Sequence, residues 1–80
     1  MLKVQILSPE ALLFDAAVHH ATFPGSCGAF QVFDLHAPLV ATLTRGDIHL
    51  VTNAGEEFRI TIRSGVVEVK NDALIVLVDR

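Results

Sequence analysis

Apolar and polar residues alternate with a period of two along most of this chain, and that alternation constrains the fold more than any other feature. Leu2, Val4 and Ile6 point one way while Lys3 and Gln5 point the other, so the chain opens as a strand. The clearest hairpin pairs Asp47–Val51 with Phe58–Arg63 through Thr52-Asn53-Ala54-Gly55-Glu56. Ile48 and Leu50 then face Phe58, Ile60 and Ile62, leaving His49, Arg59, Thr61 and Arg63 outward. A second hairpin joins Val66–Val69 to Ala73–Val78 around Lys70-Asn71-Asp72. Its last strand is apolar on both faces. One face can serve a core, and the other needs cover from a second sheet layer or another subunit.

One stretch admits two readings. Ser8-Pro9-Glu10 looks like a helix start, and Ala11 to Ala17 has good helix propensity. The alternative is a tight turn followed by a strand near Ala16–Phe23. The whole pattern predicts an all-β fold, an antiparallel sandwich or flattened barrel of five to ten short strands with glycine-rich turns.

Eighty residues allow one domain, and a chain this short buries only about 60% of its unfolded surface. Yet 51% of its residues are hydrophobic, which excludes disorder and leaves apolar area beyond what one thin core hides. A permanent partner is therefore favoured. The net charge of −3 offers no basic stripe for nucleic acid. One cysteine permits no internal disulfide and fits a reducing compartment. Without an apolar run of about 20 residues or a signal peptide, the chain reads as soluble.

Phe23–Leu39 (FPGSCGAFQVFDLHAPL) is the most elaborate irregular segment. Pro24-Gly25 signals a turn, Gly28 a second position suited to φ > 0, and Ala29–Phe33 a short strand. Pro38 pushes Ala37 into an extended conformation. A segment of this kind with few charges suits a contact surface.

Chemistry is harder to find. His19 and His20 are adjacent, so on a strand they project to opposite faces and do not readily share a metal ion. His36 and His49 lie elsewhere, with no recurring Cys–His or His–carboxylate spacing. Cys27, His36 and Asp34 make a triad on paper, but nothing obvious lowers the thiol pKa and nothing supplies an oxyanion hole. Gly25-x-x-Gly28 follows no strand–helix arrangement, which weakens a phosphate-loop reading. Asp15, Asp34, Asp47 and Asp72 read as turn residues bonding their own backbone. No catalytic, metal or cofactor-binding residue is assigned.

A series of short motifs nevertheless runs in order over nearly all 80 residues. Ser8-Pro9-Glu10 is followed by Leu13-Phe14, Val18, Pro24-Gly25 and Gly28. His36-Ala37-Pro38-Leu39, Gly46 with Ile48, Ser64-Gly65-Val66-Val67-Glu68-Val69, Asn71 and Leu74–Asp79 complete it. In this series the chain resembles the epsilon subunits of ATP synthases (delta in mitochondria), specifically their amino-terminal β-sandwich domain, across residues 1–80. The resemblance implies strand–turn–strand rather than a helix after Ser8.

It also implies a non-catalytic rotor subunit at the foot of the central stalk. Such a subunit couples gamma to the membrane c-ring in a proton- or sodium-driven synthase, below the alpha/beta head, without entering the membrane. The implied location is peripheral, on the cytoplasmic face of the bacterial inner membrane. The implied c-ring contact is the segment from Gly28 to His36: Gly28, Ala29, Phe30, Phe33, Leu35 and His36. The two-faced last strand suggests Ile75 and Leu77 for gamma. The family usually has Gly-Glu followed two residues later by Gly, where this chain has Gly28-Ala29 and Gln31. The missing glutamate predicts a less ionic foot, held by Phe30, Phe33, Leu35 and His36. Typical members continue into a two-helix carboxy-terminal domain, whereas this sequence stops at Asp79-Arg80, so no such helical hairpin is expected in it.

Two rival readings fit the residues less well. A carbohydrate-type β-sandwich module would need exposed aromatic platforms, and the chain has five Phe but no Trp or Tyr. The small-hydrolase reading rests on Cys27, His36 and Asp34 alone.

Overall fold

The computed structural model describes residues 1–33 and 38–80. Among these residues nine strands make two sheets facing each other, a β-sandwich as the alternation predicts. They are β1 (Leu2–Leu7), β2 (Leu12–Val18), β3 (His20–Phe23), β4 (Phe30–Val32), β5 (Leu39–Leu43), β6 (Gly46–Val51), β7 (Glu57–Ile62), β8 (Ser64–Lys70) and β9 (Ala73–Asp79). One sheet has the order β2-β1-β9-β8-β5 and the other β4-β3-β6-β7.

Between Ser8 and Ala11 the chain turns rather than starting a helix. Ser8 N donates to Ala11 O at 2.9 Å, and Ala11 N donates to Ser8 Oγ at 3.2 Å. Serine thus bonds back across a turn, the local alternative to capping a helix. The strand that follows begins at Leu12, not near Ala16, and pairs antiparallel with β1 through Leu2–Val18 and Ile6–Phe14. The expected single strand through Phe23 is in fact two. The chain bends at His19 and leaves the first sheet for the second.

Both predicted hairpins form, each slightly longer than expected. Ile48 faces Ile60 and Leu50 faces Phe58, as the alternation requires. In the β8–β9 hairpin Asn71 takes φ 56°, a left-handed position that asparagine tolerates better than most residues. Beyond the hairpins, β9 lies parallel to β1, from Lys3–Ala73 to Leu7–Leu77, which puts the last strand in the middle of its sheet.

The core is the set of inward-facing positions from both sheets. Leu2, Val4 and Ile6 of β1 meet Leu74, Val76 and Val78 of β9 and Val67 and Val69 of β8 in one layer. Phe23, Val32, Ile48, Leu50 and Ile62 supply the other. No polar side chain is buried among the described residues, so the interior carries no desolvation debt. Phe14 on edge strand β2 and Phe58 on edge strand β7 meet edge to face, centroids 5.4 Å apart, and close one side of the sandwich.

Two of the aspartates depart from their expected place in turns. Asp15 lies within β2, and Asp47 within β6 accepts a hydrogen bond from Thr61 Oγ1 at 2.7 Å. Asp72 does sit at the β8–β9 turn, where its carbonyl accepts from Lys3 N at 2.8 Å.

Candidate functional site

The outer faces of the two sheets differ in kind. On the four-stranded sheet one row across β4, β3, β6 and β7 reads Gln31, Thr22, His49, Arg59. Gln31 Nε2 donates to Thr22 Oγ1 at 3.2 Å, and His49 Nε2 donates to Glu57 Oε1 at 2.7 Å. This face is polar and bonded to itself.

The outer face of the five-stranded sheet is not. Register places Leu12, Leu7, Leu77, Val66 and Thr42 in one row across β2, β1, β9, β8 and β5. Leu77 is 57% exposed and Leu12 53%. The next row holds Asp15, Gln5, Ile75, Glu68 and Val40, with Ile75 at 43% and Val40 at 68%. Beside Leu7, Pro9, Val66 and Leu77 opens a shallow groove of about 430 Å³. Among the described residues, therefore, no sheet covers the apolar second face of β9. Ile75 and Leu77 sit together on this surface; the sequence alone did not show that Leu12 and Val66 join them, because only register aligns the strands.

A second group of predicted residues lies at the Pro24–Val32 segment. Gly28 has φ 126°, as the turn reading requires. Gly25 does not have positive φ; its role is space. A Cβ there would lie 2.5 Å from Gly28 O and 2.8 Å from the Phe30 ring. The turn is tied to edge strand β5 by Ser26 N to Thr42 O (3.0 Å), Thr42 Oγ1 to Ser26 Oγ (3.0 Å) and Thr44 N to Pro24 O (2.8 Å). Cys27, Gly28 and Ala29 are exposed, and Phe30 packs its ring on Phe23 at 5.6 Å. Phe33 is 46% exposed. Leu35 and His36 of the expected foot lie outside the described residues, as do Asp34 and His36 of the paper triad.

The histidines correct the strand-based expectation. His19 and His20 do not project to opposite faces, since His19 stands in the bend between sheets where strand alternation fails. Their Nδ1 atoms are 2.9 Å apart, one ring N–H donating to the other's lone pair, and both rings touch Phe33. Among the described residues no group of three or more His, Cys, Asp or Glu is arranged to hold a metal ion. No helix of the described chain is long and apolar enough to cross a membrane.

Residues 1–80 match the family described as ATP synthase, Delta/Epsilon chain, beta-sandwich domain. The chain belongs to this family. It is 38% identical over 79 residues to the ATP synthase epsilon chain of Leptospira interrogans, covering 98% of this chain and 61% of that protein. It is 37% identical over 79 residues to that of Sulfurovum sp., covering 99% of this chain and 62% of the relative. The chain thus spans about three fifths of these relatives' length. In fold it matches a chain of the Euglena gracilis mitochondrial ATP synthase (OSCP/F1/c-ring) with a TM-score of 0.93 at 15% identity, covering 99% of this chain and 51% of that one. A chain of the Tetrahymena thermophila mitochondrial ATP synthase central stalk and c-ring gives 0.77 at 16%, covering 99% and 63%.

Proposed function

We propose that this chain is a non-catalytic rotor domain of the ATP synthase central stalk, joining gamma to the membrane c-ring. Family membership carries the reading. The unequal faces of the sandwich support it. A domain that passes torque between two partners needs rigid, extensive interfaces rather than a reactive pocket, and an apolar sheet face rimmed by charge suits a permanent partner.

The face bearing Ile75 and Leu77, with Leu12 and Val66 beside them, is the surface assigned to gamma. Gly28, Ala29, Phe30 and Phe33, with Leu35 and His36, are assigned to the c-ring. On this reading the chain works at the periphery of a membrane-bound complex, on the cytoplasmic face of a bacterial inner membrane, with no cofactor of its own. The carbohydrate-module reading draws no support, because the exposed rings of Phe33 and Phe58 are engaged with His19, His20 and Phe14 rather than laid out as a platform.

Co-purification with gamma tests the proposal. Leu77→Asp and Ile75→Asp place a charge on an exposed face, so the chain stays folded while gamma capture falls at least about tenfold, the cost of desolvating one unpaired charge in an interface. Capture unchanged in both variants would remove gamma from this face. Failure of the unmodified chain to bind gamma or the c-ring would overturn the rotor assignment. For the foot, raising salt from low to physiological strength is expected to weaken c-ring binding only slightly, since Asp34 is the sole Asp, Glu, Lys or Arg in Gly28–His36 and the residues assigned to the contact are uncharged apart from the titratable His36. A steep loss would show an ionic contact instead.

A further inference from the structure

The crossover between the sheets holds a pair of histidines that the rotor reading leaves unused, packed against Phe33 of the foot segment. His19 Nδ1 and His20 Nδ1 lie 2.9 Å apart with their rings at 84° to each other. Phe33 packs on both, its centroid 5.3 Å from His20 and 6.3 Å from His19. His19 is exposed and His20 half-buried, so water reaches the pair.

Two imidazole nitrogens bound cis on a square-planar or octahedral ion, each at about 2.0–2.1 Å, lie about 2.9 Å from one another. A tetrahedral angle spreads the same two atoms to about 3.4 Å. The observed separation is that of the hydrogen bond between the rings, and it leaves the two nitrogens near enough for one ion to reach both; copper(II) is then favoured over nickel(II) and zinc(II) by the general affinity order of nitrogen sites. We propose that His19 and His20 chelate a divalent ion of the Cu(II) or Ni(II) class through their two Nδ1 atoms, with water in the remaining positions.

The chemistry balances without any redox step. In the hydrogen-bonded pair one ring carries its proton on Nδ1 and the other on Nε2. On binding, the first ring moves its proton to Nε2 through solvent, and both Nδ1 lone pairs then face the ion. Phe33 packs on both rings and limits how far they swing as each turns from its neighbour's nitrogen toward the shared ion. His49 supplies an internal control, since its Nε2 is held by Glu57 on the polar face.

Titration calorimetry of the whole chain with copper(II) chloride, then nickel(II) and zinc(II), at about pH 7.5 tests this, with electron paramagnetic resonance of the copper-loaded chain. The expected result is tighter binding of copper than zinc and nitrogen superhyperfine lines from two imidazoles. His19→Ala and His20→Ala each weaken copper binding at least about tenfold, Phe33→Ala about tenfold through loss of ring orientation, and His49→Ala leaves it unchanged. His19 and Phe33 are exposed and His20 and His49 half-buried, and far-ultraviolet circular dichroism verifies that each variant is folded. Wild-type affinity in either His19→Ala or His20→Ala, zinc bound more tightly than copper, or a spectrum without the imidazole pair would each overturn the proposal. So would absence of binding by the unmodified chain.

Discussion

At the scale of single residues, Gly25 shows how the same amino acid answers different demands. The Pro24-Gly25 pair reads in sequence as a turn that exploits positive φ, but the backbone asks for room instead. The chain folds back so closely that Gly28 O and the Phe30 ring occupy the space a methyl group would take. Gly25→Ala is therefore expected to cost about 1–3 kcal/mol, as overpacking does, which lowers the melting temperature by about 4–8 °C per kcal/mol in a domain of this size. Calorimetric melting checks it, and a Tm equal to the parent's would mean the turn yields freely. His19 and His20 failed differently. The rule that neighbours on a strand oppose each other is sound, but the sequence does not mark His19 as the residue where the chain changes sheets. Adjacent histidines with no glycine or proline beside them carry no breaker signal.

At the scale of elements, β9 carries the clearest test of the alternation. Val76 is fully buried, whereas Leu77 beside it is mostly in water. Val76→Ala removes two buried methyl-sized groups and is expected to cost about 1.5–3 kcal/mol, while Leu77→Thr stays within about 0.5 kcal/mol. Urea midpoints of the two variants should therefore separate clearly. Similar midpoints would mean that β9 is not seated as its register indicates. The hairpins β6–β7 and β8–β9 were legible because short turns fix register locally. β5 was missed as a strand: its ladder partner is β8, some 25 residues on, and no hairpin turn announces it. The helix-like Ser8–Ala17 stretch was ambiguous for a related reason. Local propensity favours a helix there, and only pairing with β1 makes a strand the better use of Leu13, Phe14 and Val18.

For the whole molecule, the decisive pairing joins the two ends of the sequence. β1 and β9 lie side by side and parallel, so the five-stranded sheet has its centre built from the first strand and the last. No short-range pattern could predict this, because parallel neighbours need a long connection and leave no turn between them. Its consequence is cooperativity. Until residues 73–79 are present, Val4 and Ile6 on β1 and Val67 and Val69 on β8 have no strand between them, and the sandwich lacks the middle of one wall. A chain ending at Asp72 is then expected to be unfolded, with random-coil circular dichroism and rapid proteolysis, although it keeps the residues of all eight strands from β1 to β8. Adding a peptide of residues 73–80 in trans should restore β-sheet signal, because the missing strand enters a slot bounded by β1 on one side and β8 on the other. A protease-resistant, folded 1–72 fragment would show instead that the four-stranded sheet and its layer of Phe23, Ile48 and Leu50 form a core that stands without β9. Such closure between chain ends is also slow, since loop entropy is spent before the pairing rewards it, and folding of the complete chain should fall in the range of milliseconds to seconds by stopped-flow mixing.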